Sequence, residues 1–215
     1  MKLFKVIGKQ MQFPKGFFGK VLFAWMTPKT IAHARWTADL LDIQQEDQII
    51  EIGFGNGANI KLLLQQANKG SVTGVEISKT AIKMAAKKNE SAISEGKVRL
   101  HQAPGNALPF KDKVFDKACT VATAYVIEDP GAVFKEMFRV LKPKGRAAVT
   151  FPVRENFMAF KPVATEGFYL HELTDLEAAF RKAGFVNCRT ERNDRVKFGA
   201  HCMLGEKPSF LKIEN

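Results

Sequence analysis

From residue 47 onward, short apolar runs alternate with segments of helical periodicity. The apolar runs that we interpret as strands cover residues 47–52, 71–75, 97–102, 114–121 and 146–152. The intervening helical segments include residues 58–67, a helix that opens at Ser78, and residues 131–141. Strands that alternate with helices of this length form a parallel sheet covered by helices on both faces. We therefore predict an α/β fold with a doubly wound, mostly parallel sheet.

Both ends of the chain depart from this alternation. A last helix over residues 173–183 is followed by two strand-like segments, 185–191 and 197–205, without a clear helix between them. Strands in direct succession predict an antiparallel hairpin, here at one edge of the sheet. At the other end, residues 16–26 and 28–41 read as two helices. We divide the chain into an N-terminal basic and aromatic helical extension over residues 1–42, which caps the site, and one domain over residues 43–215.

The positive charge of the chain is concentrated in this extension. The formal net charge is +11, yet no acidic residue precedes Asp39, and residues 1–38 hold seven lysines and arginines. Such an asymmetry predicts an acidic partner: an anionic substrate, a phospholipid surface or nucleic acid. The alternative is that the lysines only solubilise an arm rich in phenylalanine.

The compartment follows from two absences in the sequence. No apolar run approaches the roughly 18 residues that a membrane span needs, and lysines interrupt the N-terminal segment where a signal peptide is apolar. The three cysteines are far apart and show no zinc-site spacing. We expect a cytoplasmic protein with reduced thiols, no disulfide framework and no metal site, and with peripheral membrane contact as an option.

The most informative motif is a glycine loop directly after the first strand. Gly53, Gly55 and Gly57 let the backbone turn tightly and approach a ligand. Glu76 ends the second strand, where a carboxylate can accept hydrogen bonds from both hydroxyls of a ribose. Glu51 stands just before the loop, where it would repel a pyrophosphate but suit a cationic amino-acid group. The pattern favours a positively charged nucleoside over a nicotinamide or flavin dinucleotide.

Several segments together resemble a known family. Residues 49–60 and 72–78 are similar to the first two motifs of the class I S-adenosylmethionine-dependent methyltransferases. Residues 108–110, 115–118 and 139–146 resemble later signatures of the small-molecule branch. The similarity spans about residues 35–205. It implies a Rossmann-like seven-stranded sheet with an antiparallel last strand, and metal-free methyl transfer from S-adenosylmethionine, which leaves S-adenosylhomocysteine.

The resemblance also implies roles for individual residues. The glycine loop, with Phe54 and Asn56 inside it, would line the methionine part of the cofactor. Glu51 would hold its amino group, Glu76 the ribose hydroxyls, and Ile77 would pack against the adenine. The family usually has an aspartate at the place of Pro104, where it contacts the adenine amino group. Here Asn106 or the backbone of Gly105 is expected to substitute for it.

The chemistry demands little of the protein beyond alignment. Methyl transfer from a sulfonium needs the reactants in line, water excluded and, where necessary, a proton removed. The polar candidates near the methyl group are Tyr125 and Glu128, after the fourth strand, and His171 in the long segment before the last helix. Each has a plain alternative: a loop hydroxyl, an acid at a helix N-terminus and a surface histidine.

The sequence thus predicts in-line methyl transfer to a small-molecule acceptor. The basic, aromatic extension either packs over the cofactor mouth or receives an anionic or amphiphilic acceptor, such as a lipid at an anionic membrane surface. One alternative is an RNA methyltransferase, suggested by the pI of about 9.6 but opposed by the lack of an RNA-binding module, so specific nucleic-acid binding is not expected. Another is a cofactor-binding protein without catalysis. The acceptor atom and the oligomeric state are not predicted.

Overall fold

A computed structural model of the chain describes residues 30–159 and 168–209. The strands are β1 (Gln48–Ile52), β2 (Ser71–Glu76), β3 (Val98–Gln102), β4 (Phe115–Val121), β5 (Leu141–Pro152), β6 (Val186–Asn193) and β7 (Ala200–Glu206). The helices are α1 (residues 30–41), α2 (Ala58–Gln66), α3 (Lys79–Lys88), α4 (Glu90–Ser94), α5 (Pro130–Val140), α6 (Arg154–Met158) and α7 (Leu173–Lys182), with a 3-10 turn at Ala124–Val126. The helix expected over residues 16–26 lies outside the described residues.

The strands form one seven-stranded sheet in the order β3-β2-β1-β4-β5-β7-β6. The pairs among β1 to β5 are parallel, whereas β7 runs antiparallel to both β5 and β6. The predicted doubly wound sheet and its antiparallel last strand are confirmed. The strand order reverses between β1 and β4, so the loops that leave their carboxyl ends diverge and open a crevice there.

Successive side chains of β1 point to opposite faces of the sheet, and both faces are buried. Ile50 and Ile52 join the core that also holds Phe134 and Phe180, while Ile49 joins a second core on the opposite face. Buried parallel strands read as nearly continuous apolar runs for this reason. The one charged side chain in β1, Glu51, is fully buried among these isoleucines.

Helix α1 is built into the second of these cores. Leu41 is fully buried there, and the hydroxyls of Thr37 and Thr150 are hydrogen-bonded at 2.7 Å. The His33 ring lies with Nε2 3.3 Å from the carbonyl oxygen of Gly199. These contacts hold the described part of the N-terminal extension against β5 and the start of β7.

Arg139, near the end of α5, holds the loop before β4 in place. Its guanidinium donates to the carbonyl oxygens of Leu108 at 3.1 Å and Phe110 at 2.7 Å, and it pairs with Asp112 and Glu136. The loop that runs below the crevice is therefore fixed to a buried helix.

Strand β5 begins at Leu141, ahead of the expected residue 146. Leu141 pairs with Phe115 of β4, and Lys144 donates its N–H to the Lys207 carbonyl at 2.8 Å. The Pro-Lys-Gly segment at residues 143–145, which follows the helix, is therefore part of β5. The ammonium of Lys207 donates to the carbonyl oxygens of Phe138 at 2.7 Å and Leu141 at 2.8 Å, which satisfies acceptors at the end of α5.

Among the helices within residues 30–159 and 168–209, none combines the length and the apolar composition that a bilayer span requires.

Candidate active site

A cavity of about 420 Å³ opens at the carboxyl edge of the sheet, where β1 and β4 diverge. Its walls come from the segments that follow four parallel strands, and Thr30 of α1 also contributes. The lining segments are residues 52–56 with 58 and 59, residues 75–77, residues 103–106, and residues 121–123 with 126–129 and 133. This is the position at which open α/β sheets bind their ligands.

The glycine loop adopts a backbone that other residues rarely accept. Gly53, Gly55 and Gly57 have φ angles of 75°, 56° and 74°. A Cβ at Gly53 would overlap Cγ2 of Thr123, and one at Gly57 would lie 2.6 Å from Cβ of Ala85. Gly53 and Gly55 line the cavity, whereas Gly57 faces α3 behind it. The glycines therefore serve close packing of the loop as well as ligand access.

The Glu76 carboxylate is fixed at the cavity wall by three backbone N–H groups. Gly55 donates to Oε2 at 3.1 Å, and Ile77 and Ser78 donate to Oε1 at 2.9 Å. These bonds join the loop after β1 to the loop after β2. The remaining lone pairs of a carboxylate held in this way can accept hydrogen bonds from a ligand's hydroxyls.

Glu51 lies directly behind the lining and has no solvent exposure. Oε1 accepts a hydrogen bond from Nδ2 of Asn59 at 2.9 Å, while Oε2 has no partner among the described residues. Burial raises the pKa of Glu51 to about 7, the Asn59 hydrogen bond lowers it, and the nearby Glu76 raises it. A buried carboxylate oxygen without a donor suits the ammonium group of an amino acid.

Another part of the lining joins the end of β2 to the turn after β3. Ile77 is 51% exposed and lines the cavity together with Pro104, Gly105 and Asn106. A Cβ at Gly105 would lie 2.8 Å from Cγ2 of Ile52, which keeps this turn close to β1. A flat aromatic ring of the size of adenine would find an aliphatic face and nearby amide groups here.

Two further residues of the glycine loop have defined places. Phe54 is buried and lies over the bare backbone of Gly74, where a Cβ would be 2.5 Å from its ring. Oδ1 of Asn56 accepts the N–H of Ala58 at 3.1 Å, which shapes the entry to α2. Both residues also line the cavity.

The three catalytic candidates occupy different positions. Glu128 lines the cavity, and its nearby charge raises the pKa of the Tyr169 hydroxyl. The Tyr125 hydroxyl instead donates to the carbonyl oxygen of Pro152 at 3.0 Å, and burial raises its pKa. Nε2 of His171 is 2.8 Å from the carbonyl oxygen of Ile127. Tyr125 and His171 lie outside the lining, beside the segment that carries Glu128.

Sequence reasoning gave no individual role to Asn59, Thr123 and Asp129, which all line the cavity. Asp129 had a readable signal, because it precedes Pro130 and its Oδ1 accepts the N–H of Ala132 at 3.0 Å, as an N-cap does. Asn59 and Thr123 carry no such local signal, since their importance depends on Glu51 and Gly53.

The charged residues in the described part of the lining are all acidic. They are Glu76, Glu128 and Asp129, and no lysine, arginine or histidine of the described residues joins them. The charge of the described lining is therefore negative, whereas the net charge of the whole chain is +11.

Comparison with known proteins agrees with this geometry. Residues 50–149 match a family described as a methyltransferase domain. The uncharacterized methyltransferase YdaC of Bacillus subtilis is 30% identical over 175 residues, which cover 81% of this chain and 91% of that protein. The ubiquinone/menaquinone biosynthesis C-methyltransferase UbiE of Geotalea daltonii is 26% identical over 53% of this chain and 49% of its own length.

A solved structure shares the fold at low sequence identity. The geranyl diphosphate C-methyltransferase of Streptomyces coelicolor, solved with Mg2+, geranyl-S-thiolodiphosphate and S-adenosylhomocysteine, superposes with a TM-score of 0.70 at 14% identity. The match covers 82% of this chain and 76% of that one. With YdaC similar along nearly its whole length, the chain belongs to the class I S-adenosylmethionine-dependent methyltransferases and is an enzyme of that family.

Proposed function

We propose that this enzyme transfers a methyl group from S-adenosylmethionine to a small-molecule acceptor, and that the described cavity binds the cofactor. The observation that carries the proposal is the Glu76 carboxylate, which three backbone N–H groups hold at the cavity wall. The cofactor supplies a methyl group already activated by a sulfonium. The protein then has to bind, orient and exclude water.

The residues present fit the cofactor part by part. Glu76 would accept hydrogen bonds from the ribose hydroxyls, and the unpartnered oxygen of Glu51 would answer the ammonium group. Gly53 and Gly55 would lie along the methionine chain. Ile77 would cover the adenine from the side opposite Gly105 and Asn106, which take the place of the usual aspartate.

Calorimetry with S-adenosylhomocysteine tests this assignment. A hydrogen bond to a charged group contributes about 1.5–3 kcal/mol, so Glu76→Ala should weaken binding about 10- to 150-fold. Glu46→Ala is the matched control, because Glu46 is exposed and precedes β1 at the opposite edge of the sheet. Unchanged affinity in Glu76→Ala, or no binding by the unaltered protein, would refute the proposal.

Glu128 is the proposed proton acceptor for the acceptor molecule. It is the one of the three candidates that lines the cavity, and it lies near enough to Tyr169 for its charge to raise the pKa of that hydroxyl. A hydroxyl or amine that is methylated loses its proton, and Glu128 would receive that proton. We assign Tyr125 and His171 to positioning, because Tyr125 joins this segment to the Pro152 carbonyl and the His171 ring lies against the Ile127 carbonyl, one residue before Glu128.

The acidic lining bears on the acceptor's charge. Carboxylates at the mouth favour an acceptor whose reacting end is neutral or cationic. The lysines behind the sequence-based expectation of an anionic or amphiphilic acceptor lie mostly in residues 1–29, outside the described residues. We propose an amphiphilic acceptor whose neutral end enters the cavity while any anionic part, or an anionic lipid surface, meets the basic extension.

Methyl-labelled cofactor and a metabolite extract test the catalytic part. The unaltered enzyme should label a small-molecule fraction, and Glu128→Gln should slow labelling about 10²- to 10⁴-fold without weakening S-adenosylhomocysteine binding. Glu90→Gln, on an exposed helix away from the cavity, should label at the normal rate. Equal rates in both variants would remove Glu128 from the chemistry, and sedimentation with anionic against neutral vesicles would test the lipid surface separately.

A further inference from the structure

The environment of Glu51 is unusual for a binding carboxylate. The side chain has no exposed surface, and one of its two oxygens has no hydrogen-bond partner among the described residues. Within residues 30–159 and 168–209, its single donor is the amide of Asn59, a neutral group at 2.9 Å. No lysine, arginine or histidine contributes to its electrostatic surroundings as the structure describes them.

The charged neighbour of Glu51 among the described residues opposes its ionisation. Glu76 at the end of β2 is a second carboxylate, and it acts on Glu51 through its charge. Cys119 of β4 is fully buried beside Glu51, and Cys202 of β7 lies beyond it. A charged Glu51 in the free protein would thus be buried, would accept a hydrogen bond from one amide only among the described residues, and would lie near a second negative charge. Burial and like charge both favour the protonated form.

We propose that Glu51 and Asn59 form a cofactor-binding pair that is completed only when Glu51 loses its proton, so that the enzyme expels a proton as it binds its cofactor. This inference rests on the proposed function of the cavity and goes beyond it. Asn59 is the positioning residue: it lines the cavity and holds Oε1, which leaves Oε2 for the arriving ammonium group.

The energetic reason is the change of partner at Oε2. The residues that the structure describes offer this oxygen no donor, and a buried acid without a donor is more stable in its neutral, protonated form. An ammonium group at Oε2 supplies a charge-assisted hydrogen bond and cancels the repulsion from Glu76. Because the pKa of Glu51 is about 7 in the free protein, the exchange of proton for ligand falls in the physiological range.

The number of protons released is measurable without any acceptor or turnover. Calorimetric titration of the full chain with S-adenosylhomocysteine, at each pH in two buffers that are effective there and differ in ionisation enthalpy, gives that number directly. With a pKa of about 7, about 0.8 proton should be released near pH 6.5 and about 0.1 near pH 8. The affinity should rise about tenfold between about pH 6 and pH 8.

Two variants separate this linkage from other titrations. Glu51→Gln has the same shape and no proton to lose, so its proton release should vanish and its affinity should stay flat over the same interval. Asn59→Ala removes the donor that lowers the pKa of Glu51, so its proton release should persist to higher pH than in the unaltered protein. Asn59 is half-exposed on the first turn of α2, which keeps this variant informative if Glu51→Gln fails to fold.

The outcomes are distinct. Proton release that depends on Glu51 and moves with Asn59 supports the inference. Tight binding with no proton release, or with equal release in the unaltered protein and Glu51→Gln, overturns it while leaving the proposed function intact. Absence of binding by the unaltered protein at every pH would overturn the proposed function itself.

Discussion

Gly53 offers a direct test of how the glycine loop is built. Its φ angle is 75°, and a Cβ added there would overlap Cγ2 of Thr123. Gly96 has nearly the same backbone, with φ of 73°, but a Cβ there meets nothing within 4 Å. Alanine at the two positions therefore carries the same backbone strain and differs in the steric clash.

The expected magnitudes follow from these two contributions. A left-handed conformation costs a non-glycine residue about 1–2 kcal/mol, and the stiffer unfolded chain returns about 0.4–1 kcal/mol. Gly96→Ala should therefore destabilise the fold by about 1 kcal/mol. Overpacking adds about 1–3 kcal/mol, so Gly53→Ala should cost about 2–4 kcal/mol.

Urea unfolding of the two variants and of a double variant measures the clash itself. Thr123→Ser deletes Cγ2 and keeps the hydroxyl that contacts Thr120. Combined with Gly53→Ala it should recover about 1–3 kcal/mol, because the overlapping atom is gone. It should recover nothing when combined with Gly96→Ala. Equal costs at Gly53 and Gly96, or no recovery by Thr123→Ser, would refute the reasoning.

Three further predictions concern ionisable side chains. Glu51→Gln should stabilise the free protein. Because the pKa of Glu51 is raised in the folded state to about 7, the unaltered protein loses stability as the pH rises from about 4.5 to about 7, and the variant should be more stable by up to about 3 kcal/mol at pH 8 in thermal or urea unfolding. A less stable variant would contradict the burial argument. Arg139→Lys should lower the free energy of unfolding by about 2 kcal/mol, because a lysine cannot donate to the carbonyls of Leu108 and Phe110 together. A protease should then cleave residues 108–112 faster, and an unchanged cleavage rate would contradict the role of Arg139 in holding this loop. Lys207→Met should lower the free energy of unfolding by about 2–3 kcal/mol and leave S-adenosylhomocysteine affinity unchanged, whereas weaker binding would connect Lys207 to the site.

The part of the fold that sequence predicts is the part encoded locally. The apolar runs, the glycines after β1 and the carboxylate that ends β2 each lie within a few residues of the element that they define. Once β1 and β2 are neighbours in a parallel sheet, Gly55 and Glu76 must meet at the same edge. The family resemblance added the antiparallel position of β7, which periodicity alone left as a hairpin.

The part that sequence misses depends on partners far along the chain. Asn59 matters because it faces Glu51 across the glycine loop, and Arg139 matters because it reaches a loop about thirty residues away. The residues that flank Asn59 and Arg139 in the sequence do not predict these contacts.

The direction of a side chain is equally hidden from sequence. Tyr125 has catalytic chemistry, but packing against Phe151 and Phe157 turns its hydroxyl toward the carbonyl of Pro152. His171 is similar: its ring lies parallel to that of Tyr169, with Nε2 at a backbone carbonyl. Residue type suggested these candidates, and tertiary packing set where they point.

Helix α1 connects the packing of the sheet with the wall of the cavity. The helix is tied to β5 through Thr37 and to the start of β7 through His33, and its first residue, Thr30, borders the cavity. A displacement of α1 would therefore change both the cavity lining at Thr30 and the packing against the sheet. A shortened protein that starts at residue 43 would lose Ala38 and Leu41 from the core cluster that also holds Cys202 and Leu204, whereas one that starts at residue 30 would keep them.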